Sequence, residues 1–371
     1  MNGAAVWIDF ATMEQFVTDV FKGIGVPENE AGTCTDVLAM ADKFGIDSHG
    51  IGRLKPIYYD RIVHQKIQEA VTRFEIVKDN MATAVVDGHH GMGMVISQRC
   101  MQMAIDKARK YGMGMVVARN STHYGIAGYY ARMACDAGMI GITGTNARPS
   151  IAPTFGIDNM LGTNPLVFGM PTDEPFDFVN DYATSISQRG KVELAEREGK
   201  DLPQGLIIDR NGNYMVNPSQ ILKALDTDQA ALLPIGGALE ETGSHKGYGF
   251  ATVVEILSAS LQQGAFLRQL CGIDAEGKKR PYSLGHFFIA INVESFTELA
   301  SFKKATGELL RELRNSTKAP GAERIYTCGE KEYLTWQERK NKGVPVNSVL
   351  QKQMIAMRNE LGLKKHKFIF E

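Results

Sequence analysis

The sequence lacks the glycine-rich motifs of the common nucleotide-binding folds. It contains no G-x-G-x-x-G, no G-x-x-x-x-G-K-[ST] and no G-x-S-x-G; Gly91-Met92-Gly93 and Gly112-Met113-Gly114 both lack the third glycine. No local signature therefore indicates a Rossmann dinucleotide fold, a P-loop nucleotidase or an α/β-hydrolase.

Cysteine and net charge are also scarce. The five cysteines are far apart and form no C-x-x-C pair, so neither a metal site nor a disulfide framework is expected. Free thiols in a reducing compartment are the simplest interpretation. A formal net charge of −1 offers no basic surface to nucleic acid or to an anionic membrane.

Long hydrophobic runs are absent as well. No apolar stretch approaches the roughly 18 residues that a membrane-spanning helix needs. The opening MNGAAVWIDFATMEQF carries acidic residues and no basic run, which is not a signal-peptide pattern, and neither end shows a lipidation motif. We expect a cytoplasmic protein with no membrane or nucleic-acid partner.

The sequence does contain clear hydrophobic periodicity. A chain of 371 residues, 44% of them hydrophobic, can bury a sizeable core. The first part has helical spacing, with a capping-box pattern at Thr12 and Gln15, and the middle alternates between strands and helices. This alternation predicts an α/β architecture. Predicted strands are Thr83–Val86, Met113–Ala118, Met139–Thr143, Leu166–Met170, Phe176–Asn180 and Phe287–Val293.

The motif DSHGIGR at residues 47–53 is the first candidate for chemistry. If this stretch is helical, His49 and Arg53 share one face. Arginine grips a carboxylate with two parallel hydrogen bonds, and histidine exchanges a proton near neutral pH. The pattern predicts a site for a carboxylate substrate; a helix cap with a surface histidine and arginine is the alternative.

Further candidates follow the predicted strands. Ligands of open α/β sheets sit at the carboxyl ends of strands, which favours His123 in NSTHYG and Arg148 in TNARP, although a loop histidine capping the next helix remains open. The turn at Thr163 is explained equally well by turn chemistry. DYATS at residues 181–185 and HKGYG at residues 245–249 could bind ribose or phosphate, or could simply begin helices.

Six segments, DSHGIGR, NSTHYGIAGYY, TNARP, LGTNPLVFG, DYATS and HKGYG, occur in an order and spacing that resemble the malate/L-lactate/ureidoglycolate dehydrogenases. The resemblance runs from about residue 8 to about residue 345. It implies a non-Rossmann dehydrogenase fold with a central mixed, largely antiparallel sheet and a helical domain from both chain ends. It also implies a homodimer that transfers a hydride between NAD or NADP and a 2-hydroxyacid. Residues 1–78 and 296–371 would form the helical substrate and dimer region, and residues 79–295 the cofactor-binding domain.

The resemblance also implies roles for single residues. Arg53 would clamp the substrate carboxylate, His123 would face the hydroxyl or carbonyl oxygen, and His49 with Ser48 would act as proton donor. Which histidine is the direct donor stays open. The cofactor would contact Asn146, Ala147, Thr163, Asp181, Tyr182, Ala183, Lys246 and Gly247. Residues 327–330 (TCGE) depart from the family's usual proline-glycine-acid pattern.

The second arginine, Arg148, directs the substrate prediction. A guanidinium at a strand end that lines the site suits a second carboxylate, which favours L-malate and oxaloacetate over lactate and pyruvate. The alternative is that Arg148 faces solvent or the cofactor phosphates. Sulfolactate, ureidoglycolate and imine substrates remain alternatives within the family. A ligand-binding protein, or a lyase using the same histidines, are alternatives outside it.

Overall fold

A computed structural model describes residues 5–371. Ten α-helices and eleven strands alternate along these residues. The helices are α1 Phe10–Gly23, α2 Glu28–Lys43, α3 Gly93–Tyr111, α4 Gly128–Asp136, α5 Arg189–Glu198, α6 Pro218–Asp226, α7 Ser244–Ala259, α8 Leu299–Asn315, α9 Glu330–Arg339 and α10 Ser348–Glu360. The strands are β1 Val6–Ile8, β2 Glu75–Asp79, β3 Thr83–Asp87, β4 Met113–Ser121, β5 Met139–Thr145, β6 Leu166–Met170, β7 Phe178–Tyr182, β8 Ile207–Asp209, β9 Ala230–Leu232, β10 Leu284–Asn292 and β11 Val344–Val346.

A seven-stranded sheet in the order β2-β3-β4-β10-β5-β6-β7 forms the centre of the molecule. Only β3 and β4 pair in parallel; every other neighbouring pair is antiparallel. The mixed, largely antiparallel sheet that the resemblance implied is therefore confirmed. Its topology also explains the missing glycine fingerprint, because this sheet is not built from consecutive parallel βαβ units.

The two chain ends meet in one helical layer. Strand β1 pairs antiparallel with β11, and Phe16 of α1 shares a hydrophobic core with Met354 of α10 and Leu38 of α2. A second core lies between the sheet and helices α3 and α4. Helix α8 contacts the turn between β6 and β7, where Arg311 binds both carboxylate oxygens of Asp173 at 2.9 and 3.2 Å. The domain limits inferred from sequence stay a prediction.

Two local predictions were wrong. The cap of α1 is Asp9, which accepts a hydrogen bond from the Thr12 backbone at 2.8 Å, so Thr12 lies inside the helix and no capping box forms there. An ionised carboxylate at the cap suits the positive end of the helix better than a hydroxyl three residues later. The strand predicted at 176–180 lies two residues further on, at β7.

Within residues 5–371, no helix combines the length and apolarity that crossing a membrane requires. Over the same range, no three His, Cys, Asp or Glu side chains are grouped so that they would hold a metal ion.

Candidate active site

Most of the predicted site residues lie at one edge of the central sheet, the edge formed by the ends of its strands and not by an outer strand. Strands β4 and β5 flank β10 and run antiparallel to it, so their carboxyl ends lie beside the start of β10. The amino end of β6 and the carboxyl end of β7 complete this edge, since Leu166 pairs with both Gly144 and Tyr182. The loops that hold His123, Asn146 to Arg148 and Thr163 therefore lie on the same side as the end of β7, which carries Asp181 and Tyr182 and leads into Ala183.

His123 is fixed by two donors to one ring nitrogen. Its Nδ1 lies 2.7 Å from Tyr58 Oη and accepts a hydrogen bond from the Gly125 backbone N–H at 3.2 Å. A backbone N–H can only donate, so Nδ1 carries no proton, the Tyr58 hydroxyl donates to it, and the neutral ring holds its proton on Nε2. Gly125 has a positive φ and its bare Cα packs against Val37 of α2, which holds the loop in this geometry.

The electrostatic surroundings favour the neutral form of His123. Burial, followed by the charges of His49, Arg61 and Arg53, holds the pKa of His123 well below its usual value of 6.5. The ring therefore presents an uncharged Nε2–H donor at neutral pH.

His49 faces His123 across the site. The two rings stack with centroids 5.8 Å apart and planes 19° apart. Ser48 Oγ lies 2.9 Å from His49 Nδ1, and the Nε–H of Arg53 donates to the Ser48 carbonyl oxygen. Burial, then the Arg53 charge, lowers the pKa of His49 to about 4. Both histidines are thus uncharged at neutral pH.

The loop that carries His49 is not helical, so the condition under which His49 and Arg53 would share a helix face is not met. Residues 47–50 form a turn, and only Ile51–Arg53 makes a short 3₁₀ turn. The turn is held by buried Asp42, whose carboxyl oxygen accepts the Ile51 N–H at 2.8 Å. Arg339 of α9 also binds Asp47. Tertiary contacts, rather than a shared helix face, bring His49 and Arg53 together.

Three functional candidates were missed by the sequence analysis: Tyr58, Arg61 and His286. Tyr58 and Arg61 lie on a π-helical segment, Leu54–His64, directly after the DSHGIGR motif, and that proximity was the available signal. His286 is a fully buried polar residue in the apolar strand β10; it lies 2.7 Å from Thr145 Oγ1 and stacks on Tyr124 at 4.6 Å. Burial lowers the pKa of His286 to about 3.

Positive charge collects near the two histidines. Burial is the main cause that lowers the pKa of Arg61; Tyr282 and Tyr58 act in the opposite direction, and the charges of Arg148 and Arg53 lower it further. The charge of Arg148 also lowers the pKa of Asp226. In the described part of the chain none of the three arginines has a carboxylate within salt-bridge distance; the side-chain contacts of Arg53 and Arg61 are the Ser48 carbonyl and the Tyr282 ring. Uncompensated cations in a partly buried site favour an anionic ligand.

Arg148 is exposed and lines a cavity of about 610 Å³. Thr163 lines the same cavity, as do Arg189 and Asp226, which pair with each other at 2.6 Å. The cavity leaves open space beside Thr163, which is predicted to contact a cofactor, and beside Arg148, which is predicted to bind a carboxylate.

The remaining predicted cofactor residues form a second group of loops. The Thr184 backbone N–H donates to the Thr163 carbonyl at 2.9 Å, and the Ile235 N–H donates to the Thr184 carbonyl at 2.9 Å. Gly247, in the first turn of α7, packs so closely that a Cβ there would lie 2.1 Å from the Ile235 carbonyl oxygen. The segments at Thr163, residues 181–185 and residues 246–247 are thus neighbours, with Lys246 exposed beside the start of α7.

Two of the predicted cofactor residues use their side chains for hydrogen bonds within the protein. Asn146 is fully buried; its amide donates to the Ala265 carbonyl at 3.0 Å and accepts the Gly285 N–H at 2.8 Å. Asp181 accepts the Gly128 N–H at 2.7 Å, and no contact with His49 is found among the described residues. Cys328 of the TCGE loop lies 3.5 Å from Asn180 of β7, so this loop runs along the same edge strand.

The sequence matches the family model described as malate/L-lactate dehydrogenase over residues 8–355. The chain belongs to this family. It is 39% identical over 350 residues to a malate dehydrogenase of Pyrococcus horikoshii, covering 94% of each chain. It is also 38% identical to an L-sulfolactate dehydrogenase of Methanocaldococcus jannaschii, covering 96% of this chain and 97% of that one.

Solved structures agree with this membership. A crystal structure of malate dehydrogenase from Entamoeba histolytica superposes with a TM-score of 0.93 at 43% identity, covering 96% of this chain and 98% of the other. The family resemblance inferred from six motifs is confirmed. The protein is therefore an oxidoreductase, one of the hydroxyacid dehydrogenases. Membership of the malate/L-lactate dehydrogenase family implies a nicotinamide cofactor.

Proposed function

We propose that the protein is a malate dehydrogenase that interconverts L-malate and oxaloacetate with NAD, with NADP as the alternative cofactor. The observation that supports this best is the combination of stacked His49 and His123 with three arginines that have no acidic partner at salt-bridge distance. A dicarboxylate carries the two negative charges that such a site lacks, whereas pyruvate and lactate carry one.

In the proposed reduction, Arg53 binds the carboxylate next to the reacting carbon, and the neutral His123 ring donates a hydrogen bond from Nε2–H to the carbonyl oxygen. The proton that this oxygen gains comes from solvent through a histidine of the site, which is protonated transiently and returns to its neutral form after the transfer. Tyr58 keeps the proton on Nε2 by donating to Nδ1, so the donor points to the oxygen that becomes negative. His49 is the second proton-transfer group, oriented by Ser48 Oγ at 2.9 Å. If loss of His49 alone stops turnover, the two histidines exchange these roles.

The residues near α7 fit a nicotinamide dinucleotide. Ser185 Oγ is buried without a hydrogen-bond partner among the described residues, beside a 16-residue helix whose start carries Lys246. Hydroxyl, lysine and helix N-terminus together suit phosphate and ribose. We assign cofactor binding to Thr163, Asp181, Tyr182, Ala183, Lys246 and Gly247, and to the backbone of Asn146 and Ala147. When bound, the nicotinamide supplies or accepts the hydride.

Sulfolactate is the second candidate substrate. Its sulfonate supplies the same second negative charge, and a relative at 38% identity is an L-sulfolactate dehydrogenase. Arginine charge alone does not separate the two substrates. Lactate, ureidoglycolate and cyclic imines lack a second anionic group, which makes them weaker candidates for this site.

The deciding experiment compares kcat/KM for oxaloacetate, sulfopyruvate and pyruvate, each with NADH and with NADPH. We expect oxaloacetate to exceed pyruvate, and Arg148→Ala to reduce that ratio. Preference for pyruvate would overturn the malate assignment. An unchanged ratio in Arg148→Ala would leave the substrate in place and remove Arg148 from its recognition.

We further propose that the enzyme acts in the cytoplasm as a homodimer. The homodimer rests on the family resemblance. Analytical ultracentrifugation at assay concentration should give twice the 40.8 kDa chain mass. Full activity in a monomeric fraction would contradict this assembly.

A further inference from the structure

The proposed function gives roles to Arg53 and Arg148 but none to a third arginine, Arg61. It lies on the π-helical segment three residues after Tyr58, the residue that donates to His123. Its side chain is half-buried, and in the described part of the chain it has no carboxylate partner. A guanidinium withdrawn from water without a counter-charge is costly, which favours an anion in the bound state.

The position of Arg61 is preset by an aromatic ring. Its guanidinium carbon lies 4.4 Å from the centroid of the Tyr282 ring, and that ring also packs closely against Gly272. Stacking of this kind removes rotamer freedom before a ligand arrives and leaves the edge N–H groups of arginine available. Arg148, in contrast, is exposed, and no hydrogen bond of its side chain is found in the described residues.

We propose that Arg61, supported by Tyr282, binds the second anionic group of the substrate and is the principal determinant of dicarboxylate specificity, with Arg148 in a secondary role at the cavity rim. Arg53, in the 3₁₀ turn directly before this segment, then holds the carboxylate beside the reacting carbon. This inference rests on the proposed function, since it assumes a substrate with two anionic groups.

The alternative is that Arg61 only packs on Tyr282 or attracts anions nonspecifically. These roles differ in their dependence on substrate. A residue that binds the second anion affects oxaloacetate and spares pyruvate, whereas a packing residue affects both substrates equally. Substrate pairs therefore separate the two explanations within each variant.

The test measures kcat and KM for oxaloacetate, sulfopyruvate and pyruvate in the wild type, Arg61→Gln, Arg61→Lys and Tyr282→Leu. We expect Arg61→Gln to lower kcat/KM for the preferred dianion about 10- to 150-fold, the range for loss of a charged hydrogen bond, and for pyruvate less than about threefold. Arg61→Lys should recover part of the loss, because the charge remains without the planar fork. Tyr282→Leu should lie between Arg61→Gln and wild type.

Two controls accompany these variants. Arg99→Gln removes another arginine that stacks on an aromatic ring, Phe74 at 5.9 Å, and that pairs with Glu30 at 3.0 Å; it should leave the substrate ratio unchanged. Protection against heat unfolding by malonate, a dicarboxylate, relative to oxamate, a monocarboxylate, gives a binding readout that does not need turnover. Arg61→Gln should lose the malonate protection and keep that of oxamate.

The outcomes distinguish this inference from the proposed function. If wild type prefers oxaloacetate and Arg61→Gln lowers all substrates equally, the role of Arg61 is wrong and the malate assignment stands. If wild type prefers sulfopyruvate and Arg61→Gln selectively reduces it, malate is wrong and the role of Arg61 is supported. If wild type prefers pyruvate, both are overturned.

Discussion

Removing one oxygen from Tyr58 tests whether the tautomer of His123 matters for catalysis. Tyr58→Phe deletes the hydroxyl 2.7 Å from His123 Nδ1 and preserves the ring, which packs edge-on against Phe21 at 5.8 Å. Only the Gly125 N–H, at 3.2 Å, would then hold the ring. Losing one hydrogen bond costs about 0.5–1.5 kcal/mol, which corresponds to roughly 2- to 13-fold in kcat if the whole loss falls on the transition state.

The same variant predicts a shift in pH dependence. The Tyr58 hydroxyl stabilises the neutral ring by donating to Nδ1, so its loss should raise the apparent pKa of His123 above the wild-type value. The measurement is the pH profile of kcat/KM for oxaloacetate reduction, followed by absorbance of the reduced nicotinamide.

Tyr59→Phe is the matched control for this test. Tyr59 is the next residue and is equally buried, but its hydroxyl donates to Glu360 at 2.5 Å, away from His123. This control should lower the free energy of unfolding and leave kcat unchanged. Equal kcat values and superimposable pH profiles for Tyr58→Phe and wild type would refute the positioning role of Tyr58.

Three further predictions follow from the same geometry. His123→Ala should lower kcat by roughly 10²–10⁴-fold while cofactor binding, measured by fluorescence titration, is retained; near wild-type turnover would remove His123 from the mechanism. Arg53→Lys should reduce kcat/KM for every 2-oxoacid tested, because an ammonium group lacks the planar fork; an unchanged value would contradict carboxylate binding at Arg53. Burial raises the pKa of Asp42 to about 8, above its unfolded value of 3.8, so its contribution to stability is full below the unfolded pKa and is lost as the pH rises through about 8. In Asp42→Asn the amide oxygen still accepts the Ile51 N–H but does not titrate, so the free energy of unfolding of this variant should rise relative to that of wild type from about pH 5 to about pH 8. Urea unfolding of both proteins at the two pH values measures this difference; the same difference at both would contradict the reasoning.

The sequence was sufficient for features that local patterns encode. Apolar spacing located the strands β3 to β6 within a few residues, because each buries residues whose pattern is visible in the chain. The position of His123 after a strand placed it correctly at the sheet edge, although the sheet is not parallel. Strands β4 and β5 run in the same direction on either side of β10, so their carboxyl ends still coincide.

Weakly patterned elements required the tertiary structure. Strand β2 is exposed along its whole length, and three-residue β1 acquires its role only by pairing with β11 at the other end of the chain. Neither carries a period-two pattern long enough to detect, because β2 pairs with its neighbour β3 without burying a face, and β1 is held by a partner at the other end of the chain.

The family was determined by the sequence alone, since six ordered segments carried the resemblance, and the same segments supplied the candidate site residues. The tautomer of His123, the uncompensated charge near it and the support of Arg61 by Tyr282 were decided only by the fold. Tyr58 is 65 residues from His123, and in the sequence both Tyr58 and Arg61 are ordinary members of a helical segment. Local periodicity specifies that such a side chain is buried, whereas only long-range packing specifies which group it meets.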